Sequence, residues 1–155
     1  MERLAEAGPV LFLGAMGHGL GAFGAAALHE QYVDRVHTLL HVGANVGCDW
    51  AADDTRTAPD HSLMPARTIA PAEKIDAIGA AFQRVEHGLH TPGRDRSQWF
   101  GEAADWLDAP QMLSLLGQNP WFHSPSDLPS VSCTLERTQA VADAYLEAAE
   151  ALISR

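Results

Sequence analysis

Val10-Leu11-Phe12-Leu13-Gly14-Ala15-Met16 runs without a polar side chain and stops at Gly17-His18-Gly19-Leu20-Gly21. A short, continuously apolar run of this kind predicts a strand covered on both faces. Ala22 to Tyr32 then reads as a helix, and Val36 to Val42 (Val-His-Thr-Leu-Leu-His-Val) as a second strand ending at Gly43. Strand, glycine-rich loop, helix and strand form the building unit of a parallel or mixed sheet.

The alternation continues outward from that unit. Residues 48–66 are polar and rich in Asp, Pro and Ala, which predicts a loop, and Arg67 to Ala70 predicts a short strand. Pro71 opens a helix in which Ile75, Ile78, Phe82, Val85 and Leu89 recur at three- and four-residue steps. Thr91 to Ser97 turns at Pro92-Gly93, Trp99 to Leu107 reads as a short helix, and Met112 to Leu116 as a buried strand. Thr134 to Ile153 is an amphipathic helix with Leu135, Val141, Tyr145, Ala148 and Leu152 on one stripe. The expected fold is a single α/β domain over residues 1–155, a three-layer α/β/α sandwich on a mixed, mainly parallel sheet.

Composition narrows the function classes. Hydrophobic residues make up 46% of the 155, enough for a real core. The formal net charge is −10, and the arginines are scattered. Nucleic acid and anionic membrane surfaces both require clustered positive charge, so neither is an expected partner. Val10 to Leu28 is apolar, but Glu2 and Glu6 precede it and five glycines and His18 interrupt it. This argues against a signal peptide or membrane span and for a cytoplasmic protein. Cys48 and Cys133 stand far apart in no metal-binding spacing and read as thiols of a reducing compartment.

The segment Gln118-Asn119-Pro120-Trp121-Phe122-His123-Ser124-Pro125-Ser126-Asp127-Leu128-Pro129 carries the most chemical information. It follows a predicted strand, and α/β sheets place ligands at the carboxyl ends of their strands. An imidazole held by a rigid loop suits Zn²⁺, and Asp127 can orient His123. The same residues also suit a plain turn, with Pro125 and Pro129 fixing the backbone and His123 packed beside Trp121.

Elsewhere, His29 and Glu30 lie on a helix surface, and His87 and His90 near a helix end. His37 and His41 share one strand face, where neighbours can hold a cation in common. The glycine loop lacks Gly-Lys-Ser/Thr and the Rossmann spacing, so it reads as tight strand-to-helix packing. Ser114 and Ser124 have no nucleophile-elbow glycines, and Trp99 and Trp106, seven apart, read as a core stripe.

A buried strand, then Phe122-His123-Ser124-Pro125 and Asp127, then a long closing helix resembles the end of the di-zinc aminopeptidase family, peptidase family M-twenty-eight. Pro110 to Leu116, with Gly101-Glu102-Ala103 upstream, is similar to the segment that precedes the family's last histidine. The order of the N-terminal unit agrees as well. The resemblance covers most of the chain and implies the later half of a zinc-exopeptidase-like fold. It implies His123 as the last zinc ligand, Asp127 as the aspartate after it, and zinc as the cofactor.

The chain departs from that pattern at the family's Glu-Glu-x-Gly-x-x-Gly. With Gly21 and Gly24 on its glycines, His18 falls at the general base and Gly19 at a metal ligand. Ala44 or Asn45 stands where a ligand aspartate belongs, and two further ligands are expected to precede Met1. A catalytic zinc normally takes three protein ligands, so the expectation is an aminopeptidase-like protein that holds no zinc and is inactive.

Two alternatives stand beside it. One is a metal-dependent hydrolase using His18 and Glu102 as catalytic groups with His123 on the metal. The other is a dimerising module, a homo-oligomer closed through the edge of its Val10–Met16 strand or through the apolar stripe of its 72–89 helix. The expected ligand class is a peptide or small molecule. His18 and His123 should lie within about 10 Å of each other, the span of a small-molecule pocket.

Overall fold

A computed structural model describes residues 8–15, 21–46, 65–117 and 133–154, together with positions 125, 128 and 130. The described chain is mixed α/β, with a four-stranded mixed sheet and three helices. The strands are β1 (Thr38–Val42), β2 (Ala66–Ile69), β3 (Leu89–His90) and β4 (Gln111–Leu115). Their spatial order is β1-β4-β2-β3. β1 and β4 are parallel with His41 opposite Ser114, whereas β4 and β2 are antiparallel with Arg67 opposite Ser114. β2 and β3 are parallel, with Arg67 opposite His90.

The two-residue period of a strand divides the apolar side chains between two cores. Leu40, Ala66, Leu113 and Leu115 face α2 (Ile75–Gln83) and α3 (Leu135–Ile153), which bury Ile78, Phe82, Val141, Ala148 and Leu152. Alanines at 144, 148 and 149 of α3 are buried there. The Thr134 hydroxyl caps the start of α3 by accepting from the Arg137 N–H at 3.1 Å. At its end, Lys74 Nζ donates to the carbonyls of Leu152 and Ser154 at 2.5 and 2.6 Å, a cation on the negative end of the helix.

Leu39, Ile69 and Met112 face the other way, toward Trp99, Ala103 and Trp106 and toward Leu28 and Tyr32. Leu28 and Tyr32 lie on α1 (Phe23–Tyr32), and the tryptophans flank the 3₁₀ turn Gly101–Asp105. Both tryptophans are core residues, 4% exposed. No helix among the described residues is long and apolar enough to cross a membrane.

Several elements differ from the sequence expectation. Residues 10–15 form no strand, and Met16 lies outside the described residues. Only Leu13 of this segment packs against the second core, while Val10, Leu11 and Phe12 remain 52%, 56% and 69% exposed. A strand exists only as part of a ladder, and residues 10–15 join none although they and β1 line one groove, so among the described residues β1 is the sheet edge. The helix expected through Leu89 stops at Gln83, because Glu86 takes a left-handed φ of 57° and turns Leu89 and His90 into β3. The helix expected over Trp99–Leu107 is a short 3₁₀ turn, since Gly101 sits at φ 60°, outside any right-handed helix.

Candidate functional site

On the second face of the sheet, the matched registers line up His41, Ser114 and Arg67 across β1, β4 and β2. Polar side chains in an otherwise apolar layer must find partners within it. His41 Nδ1 and Ser114 Oγ are 2.9 Å apart. Arg67 is 8% exposed, donating from Nε to the Gln98 carbonyl at 2.6 Å and from Nη1 to the Pro65 carbonyl at 3.0 Å. Its guanidinium lies 4.3 Å from the centre of the Phe100 ring. Burial lowers its pKa, and the two carbonyls and the ring hold it as a strut beneath the site.

Glu102 reaches this row from the 3₁₀ turn that Gly101 starts. Glu102 Oε2 lies 3.7 Å from His41 Nε2, with side-chain exposures of 19% and 13%. From the opposite face, the Tyr145 hydroxyl is shared between the carbonyls of His41 and Leu113, at 3.1 and 3.2 Å, and so clasps β1 to β4. Burial pushes the pKa of that hydroxyl up.

The parallel pair continues past its strands. The Gly43 N–H donates to Leu115 O and the Gly117 N–H to Ala44 O, both at 2.9 Å. Asn45 turns back at φ 60°. A Cβ on Gly117 would sit 2.0 Å from the Asn45 carbonyl oxygen, so only glycine fits there. Beside these ends lies an open groove of about 2040 Å³, bounded by Val10–Leu13, the outer edge of β1, Phe100 and Glu102.

An imidazole and a carboxylate within reach of one another beside a groove are groups of the kind that serve general acid–base chemistry. The Ser114 contact at Nδ1 fixes the ring so that Nε2 faces Glu102. Ser114 is 2% exposed beneath the histidine, which makes it an orienting group and not an approachable nucleophile.

Of the residues singled out from sequence, Glu102 is at this site. His18, His123 and Asp127 lie outside the described residues, and so does the His18–His123 separation. His41 is at this site as well, while His37, just before β1, is exposed and contacts the Thr38 hydroxyl at 3.0 Å. His87 is buried at the edge of the Phe82 ring, centroids 6.1 Å apart, and His90 lies on β3. The roles of Ser114 and Arg67 escape sequence reading, because they arise from register between strands distant in the chain.

Among the described residues no group of three His, Cys, Asp or Glu converges. A catalytic zinc uses three protein ligands, so one held by His41 and Glu102 would need a further ligand from outside the described residues. Comparison with family models, curated proteins and solved structures finds no match to the chain.

Proposed function

We propose that the chain is an aminopeptidase-like protein of the three-layer, zinc-exopeptidase type that binds a peptide or small molecule and lacks a complete zinc site. One observation carries this reading. The carboxyl ends of β1 and β4 adjoin a groove bearing Glu102 and His41, yet the strand that should deliver an acidic ligand ends in Gly43-Ala44-Asn45. An amide at Asn45 is a weak substitute for a carboxylate on zinc.

The convergence of Glu102 and His41 also favours a second reading, a metal-dependent hydrolase completed by His18 and His123. Metal analysis and hydrolysis of aminoacyl-nitroanilides separate the two. The chain purified without chelator is expected to carry far less than one equivalent of zinc. It should release no nitroaniline, with or without added zinc. Near-stoichiometric zinc, with turnover abolished by Glu102→Gln, would establish the hydrolase instead.

A further inference from the structure

We infer that Val10–Ala15 is a strap that closes onto β1 as a fifth, parallel strand and shuts the groove beside His41 and Glu102. The inference does not depend on what the groove binds. It begins with the edge that β1 leaves open. Gly43 donates to Leu115 O, and His37 accepts from the Gln111 N–H. In a parallel ladder the intervening odd positions, Leu39 and His41, face β4 as well. The backbone groups of Thr38, Leu40 and Val42 therefore point away from β4, into the groove.

Val10–Leu13 line that same groove. Three consecutive apolar side chains there, Val10, Leu11 and Phe12, are each more than half exposed. Leu13 already rests on the second core, against which Leu39 of β1 also packs, and this anchors the segment to the core it would share with β1. The alternation of side chains then fixes the rest. Leu11, Leu13 and Ala15 fall on the side of Leu39 and His41. Val10 and Phe12 fall on the side of Val42 and Ile153, two further groove residues.

Residues 16–37, which join the segment to β1, exceed the dozen or so that a parallel crossover needs, and α1 within them lies on the second face. Closure satisfies the outward groups of Thr38, Leu40 and Val42 and removes three large side chains from water. An unpaired edge and an exposed β-prone run are both features that proteins rarely leave open.

Amide hydrogen exchange on the full chain reads this directly. Leu39 and His41 should be protected in every folded form and serve as internal standards. With the strap closed, the N–H groups of Leu40 and Val42 should exchange at least ~10-fold more slowly than in a Leu11→Pro/Phe12→Pro variant. Adjacent prolines remove the strap's N–H whichever alternate set faces β1, and both positions are exposed, so no core contact is lost. If protection at Leu39 shows that this variant does not fold, Leu11→Asn/Phe12→Asn supplies the same comparison. Rapid exchange at Leu40 and Val42 in the unsubstituted chain overturns the proposal. So does protection that neither variant releases. Protection that grows with concentration alongside a doubled light-scattering mass also overturns it, because a second copy would then occupy the edge.

Discussion

β4 and β1 are parallel neighbours of equal length, yet one is sealed and the other is half open. Met112, Leu113, Ser114 and Leu115 are each at most 2% exposed, while every β1 residue retains some exposure and Val42 reaches 54%. The contrast follows from what flanks each strand. β4 has a ladder on both sides and a core on both faces, whereas β1 has one ladder and a groove. The candidate site lies where sealing stops: His41 comes from the open strand, and its ring is held by a serine from the closed one.

The largest test of this contrast is a pair of truncations. Leu113→Ala removes a fully buried side chain between α2, α3 and the sheet and should cost about 2–5 kcal/mol, read from the denaturant midpoint. Val42→Ala should cost less, under about 0.5 kcal/mol where the edge stands open and somewhat more where Val10 and Phe12 close over it. Equal losses would mean that β1 is as deeply packed as β4.

A smaller effect is expected where the two strands are clasped. Tyr145→Phe deletes one hydroxyl shared by two carbonyls and should cost about 1 kcal/mol. The pH dependence has a definite sign. A tyrosine in the unfolded chain ionises near pH 10, about its ordinary value, whereas burial raises Tyr145 above it. Its contribution is therefore intact below about pH 10 and declines as pH rises beyond that, a decline the phenylalanine variant should lack. Parallel alkaline destabilisation of both proteins would assign the effect to other groups.

The same contrast explains what could be read from sequence. α3 was legible because Val141, Tyr145, Ala148 and Leu152 repeat at three to four residues, and its cap Thr134 sits just before Leu135. Leu135, on the same predicted stripe, is 85% exposed, since it precedes the turn that meets the sheet. β4 was legible as a buried apolar run. β3 was not, because two residues give no period and Leu89 also continued the helical stripe. Glu102 was reached through family resemblance, and His41 through its spacing from His37. Its true neighbours, Ser114 and Glu102, come from chain segments 61 or more residues away, and no local pattern encodes that register.

The smallest expected effect lies on the far side of the open strand, where α1 is pinned to the loop before β4. His29 Nε2 lies 2.8 and 3.0 Å from the two Asp108 oxygens, and the His29 ring meets Trp106 edge-on at 5.2 Å. Slight burial works to raise the Asp108 pKa. The His29 hydrogen bond, a backbone hydrogen bond and the charges of His29 and Arg94 outweigh it, so the carboxyl is held below its ordinary value. A depressed carboxyl contributes stability above its unfolded pKa, about 3.9, and loses that contribution as pH falls through its folded value. Asp108 is 57% exposed at the side chain, so solvent screens the pair and Asp108→Asn should cost less than about 1 kcal/mol near neutrality. The difference between the two proteins should shrink at molar salt, and again once the carboxyl is protonated in acid. If it persists in acid at full size, the contact works through packing against Trp106, and α1 is held to the open side by shape and not by charge.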